Sequence, residues 1–260
     1  MKKILTIAGS DSSGGAGIQA DIKTITAHKM YAMSVITSLT AQNTTGVFGI
    51  LNTPSEFTAQ QIDCIFSDIR PDAIKIGMLS TSENILAVSE RLKYYNAENI
   101  VIDPVMISTS GHALISDNAK EFLINELFPL ATLITPNIPE AECLSDMKIN
   151  NFSDAIISAN YIYKRFQTNI LLKGGHGSSK ADDILIYQGN QVIIHGNIIN
   201  SDNTHGTGCT LSSAIACNLA LGYPLETCIK NSKKYLENAM NTGLNLGKGN
   251  GPLNHCAEFN

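Results

Sequence analysis

Tryptophan is absent from the 260 residues, and no apolar run approaches the roughly 18 residues that a membrane-spanning helix requires. Dense lysine or arginine clusters are missing too. With a formal net charge of -5 and a pI near 5.6, the chain lacks the basic footprint of a nucleic-acid binder and the charge that would draw it to an anionic membrane. Its six cysteines (Cys64, Cys143, Cys209, Cys217, Cys228 and Cys256) form no CxxC pair and no small-scaffold spacing. That argues against a disulfide framework and a zinc site, and it fits a reducing cytoplasm. The six histidines never take HExxH spacing. Met1-Lys2-Lys3 opens like a secretion signal, but the apolar stretch after it breaks at Gly9-Ser10-Asp11, so Ile4 to Ala8 reads as a first strand.

What is present is an ordinary globular composition, 43% hydrophobic and 16% charged, with 20 glycines. A chain this long removes about three-quarters of its unfolded surface from water, enough for one large core. No Pro/Ser-rich linker, charge block or internal repeat divides it, so residues 1–260 are expected to form one domain.

Short β-rich runs alternate with loops and helical periodicity up to about residue 175, the signature of a parallel sheet covered by helices on both faces. Ile4 to Ala8 leads into a helix whose stripe is Ile18, Ile22 and Ile25. Met33 to Ala41, Ala73 to Ile76, Ile100 to Ile102, Leu133-Ile134 and Ile170 to Leu172 continue the strands, each short and apolar as buried parallel strands are. Between 183 and 195 two β-branched runs flank Gln188-Gly189-Asn190-Gln191, which predicts an antiparallel hairpin at one sheet edge. A helix carrying Leu211, Ala214, Ile215 and Leu219 follows and stops at Gly222 and Pro224; a last amphipathic helix spans Leu225 to Met240. Cys64, Cys143, Cys217 and Cys228 fall in helical runs, where a free cysteine is expected to act as a small core hydrophobe.

In an open parallel sheet, ligands bind outside the carboxyl ends of the strands, where loops converge and helix N-termini present free N–H groups. Past those ends lie Gly9 to Gly17, Gln42-Asn43, Gly77-Met78, Asp103-Pro104-Val105, Thr135-Pro136-Asn137, Lys173-Gly174-Gly175 and Asn203 to Cys209. Each has a bland role open to it: Asp103 as a turn former, Lys173 as a solvated strand end, Gly174-Gly175 as a tight turn. A lysine, an aspartate, an asparagine and a glutamine on one rim exceed what turns alone need. The loop from Gly9 to Gly17 is neither a GxxxxGK[ST] nor a GxGxxG loop, which demotes hydride chemistry. His205-Gly206-Thr207-Gly208-Cys209 opens directly onto a helix, so its N–H groups are expected to form an anion hole. At that helix start the Cys209 thiol is expected to have a lowered pKa; the bland reading is a small residue packing under the loop.

The run from Ala8 through Gly9-Ser10-Asp11-Ser12-Ser13-Gly14-Gly15-Ala16-Gly17 to Asp21 resembles the opening signature of the hydroxymethylpyrimidine/phosphomethylpyrimidine kinases of thiamine biosynthesis. The likeness continues in order through Ala41-Gln42-Asn43-Thr44, Lys75-Ile76-Gly77-Met78-Leu79, Ile102-Asp103-Pro104-Val105-Met106, Thr135 to Ala141, Leu172-Lys173-Gly174-Gly175-His176 and Asn203 to Thr210, ending at Gly251-Pro252-Leu253-Asn254-His255. It covers essentially the whole chain.

The resemblance implies a ribokinase-like three-layer α/β/α sandwich and two successive ATP-dependent phosphorylations, first of the hydroxymethyl group of an aminopyrimidine and then of its monophosphate. By the same likeness Gln42 and Asp21 bind the nitrogen edge of the ring, Met78 and Val105 line its pocket, and Gly9 and Ala16 allow close approach. Asn137, Lys173 and Thr204 fall to ATP, Asp103 and Glu140 to Mg2+, and the Gly206, Thr207, Gly208 and Cys209 turn to the transferring phosphoryl group. Related sugar kinases carry an aspartate base where Cys209 stands; Cys209 is the expected aid to proton removal, with mere positioning of substrate as the other reading. A pyridoxine or pyridoxal kinase, or an enzyme of dual specificity, fits the same motifs, and a non-catalytic ligand-binding relative is the reading from another class. A sheet of this type can pair through its edge into a homodimer or work alone.

Overall fold

The computed structural model describes residues 1–106, 117–174, 181–242 and 244–257, so Gly175 and His176 of the sixth motif lie outside the described residues. Its strands form where β-branched runs fall. They are β1 (Lys3–Asp11), β2 (Tyr31–Asn43), β3 (Gly46–Asn52), β4 (Ala73–Ile76), β5 (Ile100–Ile102), β6 (Leu133–Ile134), β7 (Ile170–Leu172), β8 (Asp183–Tyr187) and β9 (Asn190–Ile194). These make one sheet among the described residues, ordered β3-β2-β1-β4-β5-β6-β7-β8-β9. The pairs from β2 through β7 are parallel.

Side chains alternate across the pleat, and both faces are apolar. Leu5, Ile7, Ile74, Ile76, Ile100 and Ile102 face one core. Ile4, Ala73, Val101, Leu133 and Leu171 face the other. Helices α2 (Ser55–Asp68), α3 (Ser82–Tyr94), α4 (Asp117–Phe122), α5 (Ile138–Ser145) and α6 (Phe152–Phe166) supply residues to the first core; α1 (Gly17–Ala27), α7 (Thr207–Ala220) and α8 (Leu225–Asn241) supply the second. The expected three layers are there. Helix starts follow local chemistry, with the Thr81 side chain accepting from Asn84 N at α3 and Asn151 accepting from Asp154 N at α6.

The hairpin expected near residue 188 joins β8 and β9 through Gln188 and Gly189, at φ 49° and 77°, the left-handed pair that suits a two-residue turn. A second hairpin, not foreseen, occupies the opposite edge. There β2 runs on through Gln42 and Asn43 and returns as antiparallel β3, with Asn43 Oδ1 accepting from Thr45 N and Oγ1 at the turn. Gln42 is therefore a strand residue and not a loop residue. Of the cysteines expected in the core, Cys217 and Cys228 are buried and Cys143 packs against it, whereas Cys64 is exposed on the outer face of α2.

Candidate active site

Helix α7 anchors the site. Every residue from Thr210 to Ala220 is buried, so its first turn is held rigidly at the carboxyl end of the sheet. Gly206 is its N-cap at φ 87°, a conformation that favours glycine, and a side chain there would collide with the Gly15 carbonyl oxygen. No side chain caps this helix, and while Thr207 N donates to the Thr204 carbonyl, the N–H groups of Gly208 and Cys209 have no partner among the described residues and can meet an anion.

The two glycine-rich loops are clamped together by Asp11, a role the sequence did not reveal. Its Oδ1 accepts from Ser13 N and Oγ at 2.8 Å, while Oδ2 accepts from Gly15 N at 3.0 Å and Ala16 N at 2.8 Å. His205 Nε2 lies 2.8 Å from that same Oδ2. Burial alone would raise the Asp11 pKa, but the bonds from His205, Ser13 and Ala16 outweigh it and hold the carboxyl well below the usual carboxylate range.

Three strand ends supply a charged cluster. Asp103 follows β5 and Lys173 follows β7, and Lys173 Nζ donates to Asp103 Oδ1 at 2.7 Å. Thr135 Oγ1, after β6, donates to the same oxygen at 3.2 Å. Among the described residues Asp103 Oδ2 has no partner, and it lies beside Gly208, where a β-carbon would stand only 3.0 Å from it. Pro at the start of α5 and a capping box fix Glu140: its Oε2 accepts from Asn137 N at 2.8 Å, and Asn137 Oδ1 accepts from Glu140 N at 2.9 Å. Burial, with the Asp103 charge adding to it against Lys173, pushes the Glu140 carboxyl up to about 7. For Lys173, burial works against the charged form, yet the carboxylates of Asp103 and Glu140 prevail and raise its pKa.

A single cleft of about 1110 Å³ brings these groups together. Gly9, Ala16, Gln42, Met78 and Val105 line it, as do Asp103, Asn137, Glu140 and Lys173. Thr204, Gly206, Thr207, Gly208 and Cys209 complete the part of its wall that the sequence anticipated. Further lining comes from residues no motif flagged: Ile198 and Ile199 opposite Leu236 and Met240 of α8, and Lys233 with Asp183. Lys233 Nζ donates to Asp183 Oδ2 at 2.5 Å, and Asp183 Oδ1 accepts from Gly174 N, bracing the turn after Lys173.

Asp21 is the residue the cleft leaves out. It is fully buried, its Oδ2 accepting from Thr6 Oγ1 at 2.6 Å and Lys75 Nζ at 2.8 Å, its Oδ1 from Ser213 Oγ at 2.8 Å. Burial under three donors and its absence from the cleft wall count against the ring-edge role that the resemblance implies. Its partner Lys75, wholly buried yet lining the cleft floor, was overlooked. A lone cation inside an apolar strand, Ala73-Ile74-Lys75-Ile76, is the signal that would have found it, because such a charge needs a buried partner.

Cys209 also departs from expectation. Burial is the main cause, the Asp21 and Asp103 charges add to it, and together they overcome Lys75 and push the thiol up to about 11. Desolvation wins over the helix terminus, and the thiol is protonated at neutral pH.

The donor set fits a magnesium nucleotide. Mg2+ in phosphoryl-transfer sites takes one or two carboxylates and otherwise phosphate and water, which Asp103 and Glu140 beside Lys173 and the open α7 terminus can satisfy.

Known proteins resemble this chain over nearly its whole length. The family model for phosphomethylpyrimidine kinase matches residues 11–254. The thiamine biosynthesis bifunctional protein ThiED of Geobacter sulfurreducens is 46% identical over 97% of this chain, which spans only 52% of that longer relative. A hydroxymethylpyrimidine/phosphomethylpyrimidine kinase of Rhizobium meliloti is 42% identical, with 96% of each chain covered. The phosphomethylpyrimidine kinase structure from Clostridium difficile superposes with a TM-score of 0.81 at 47% identity, covering 91% of this chain and 98% of its own. A Bacillus subtilis pyridoxal kinase solved with ADP gives 0.91 at 34% identity with full coverage of both chains. A match of this length and identity makes the chain a member of the phosphomethylpyrimidine kinase family, with a ribokinase-like fold.

Proposed function

We propose that this protein phosphorylates the hydroxymethyl group of 4-amino-5-hydroxymethyl-2-methylpyrimidine with ATP and then phosphorylates the resulting monophosphate, as a step of thiamine biosynthesis. One observation carries the reading: the Lys173–Asp103–Glu140 cluster and the uncapped α7 terminus face the same cleft as the small-residue pocket of Gly9, Ala16, Met78 and Val105. When bound, magnesium ATP supplies the phosphoryl group and neutralises part of its charge.

The chain's own groups do the rest. Gln42 presents its amide to the ring's nitrogen edge, while Met78 and Val105 pack on the ring. Ile198, Ile199, Leu236 and Met240 offer an apolar slot at the nucleotide end. Lys173 puts a fixed positive charge beside the oxygens that gain charge, and the N–H groups of Gly208 and Cys209 stabilise the group in flight. Asp103 and Glu140 hold the metal. Cys209, protonated at neutral pH, acts by positioning the hydroxymethyl oxygen; a loose transition state needs little base assistance.

Pyridoxal is the second substrate to consider, favoured by the full-length superposition on a pyridoxal kinase. The discriminating experiment incubates the purified protein with magnesium ATP and each alcohol separately, resolving mono- from diphosphate by mass. Product from pyridoxal alone would overturn the pyrimidine reading. We further propose a homodimer through β3, an edge strand whose Phe48 and Leu51 are 72% and 67% exposed, tested by light scattering of a Phe48→Glu variant. The single sheet supports one domain, and six free cysteines support a reducing cytoplasm.

A further inference from the structure

Ser38 is a buried hydroxyl for which the proposed reaction has no use. The residue is 1% exposed, and its Oγ has no hydrogen-bond partner among the described residues. Native proteins rarely tolerate such a group without a reason.

Its place follows from a bulge. Strands β1 and β2 pair in register up to Ala8 opposite Ile36, and then Gly9 faces Ser38, so Thr37 is one residue too many. A bulge re-aims the side chains around it. Thr37 Oγ1 donates to the Met78 carbonyl at 2.8 Å, and Ser38 comes to lie alongside Gly9. A β-carbon on Gly9 would stand 2.7 Å from both Ser38 Oγ and Met78 Cε. Gly9 and Met78 line the cleft, and so do Thr40 and Gln42, which share Ser38's face of β2. The hydroxyl therefore sits beside the cleft-lining Gly9, on the side where the methyl end of the pliable Met78 thioether also approaches.

We propose that Ser38 is a specificity-determining residue: when a flat nitrogen heterocycle enters, the Met78 methyl moves aside and Ser38 Oγ hydrogen-bonds the ring's polar edge. A ring without a polar edge would leave the hydroxyl unpaired, as it is in the ligand-free protein, and would forgo the bond that a nitrogen heterocycle gains. The inference rests on the functional reading above and adds to it a group that selects the ring.

Ser38→Ala tests this. Removing an unpaired hydroxyl costs the ligand-free protein nothing, so the variant is expected to melt at or above the wild-type temperature. Its KM for hydroxymethylpyrimidine is expected to rise about tenfold, while kcat and the KM for ATP stay within about twofold. Ser38→Cys, similar in shape with a weaker donor, should fall between the two. A folded Ser38→Ala enzyme with an unchanged pyrimidine KM, a rise shared with ATP, or a lower ligand-free melting temperature overturns the proposal. Wild-type protein that phosphorylates neither hydroxymethylpyrimidine nor pyridoxal would overturn the functional reading and this inference with it. An active wild type with an indifferent Ser38→Ala removes the inference alone.

Discussion

Two lysine–aspartate pairs border the first turn of α7, and they are finished in opposite ways. Lys75–Asp21 is closed: both side chains are fully buried, and Thr6 and Ser213 add two further donors to the carboxylate. Lys173–Asp103 is open: Lys173 keeps 14% of its side chain exposed, and among the described residues only Oδ1 of Asp103 is occupied. A carboxylate fully buried under three donors is out of a ligand's reach, so that pair fixes geometry. An incomplete one in a dry cleft is able to bind and stabilise incoming charge, which is what phosphoryl transfer demands.

The sharpest test of the closed pair is Asp21→Asn. It strands a buried ammonium, and the expected loss is about 3–5 kcal/mol of stability, read from the denaturation midpoint. If stability held and only the pyrimidine KM rose, Asp21 would be a substrate ligand and the comparison would fail. On the open side, Lys173→Met is expected to cut kcat by about 10²–10³-fold with a smaller loss of stability than Asp21→Asn, measured by steady-state kinetics. Activity that survived this change would make both pairs structural.

The closed side extends to His255, which is buried and lies 3.0 Å from Thr210 Oγ1 of α7. Burial, helped by the Lys23 charge, lowers its pKa from 6.5 to about 4. The unfolded chain then binds a proton that the folded chain refuses. Stability is complete above pH 6.5 and declines as pH falls toward 4, by up to about 3 kcal/mol. Replacing His255 with Asn should flatten that slope in urea titrations across this window. The smallest expected effect belongs to Cys209→Ala, less than about tenfold in kcat, because a thiol at about 11 is no ready base. Alkylation by iodoacetamide should be slow at pH 7 and quicken toward pH 11. Fast labelling at neutral pH would restore the thiolate.

Several parts of this arrangement were legible in the residues. Apolar runs located the parallel strands, and the rule that loops at strand carboxyl ends carry the chemistry pointed to Asp103, Asn137 and Lys173. Asp21 misled because its motif counted for more than its spacing. It shares a helical stripe with Ile18 and Ile25, and that stripe is buried. β3 escaped notice because Gly46-Val47-Phe48-Gly49-Ile50 offers few β-branched residues between two glycines. The Asp11–His205 clamp joins residues 194 apart and leaves no local trace.

By itself the sequence determined the class of fold and the roster of polar groups at the sheet's rim, since periodicity and turn chemistry are local properties of the chain. Only the tertiary structure decided which lysine is sealed and which is open, and which way the Cys209 thiol titrates. Those outcomes depend on donors such as Ser213, which reaches Asp21 from 192 residues away, and on how much water the packed helices exclude.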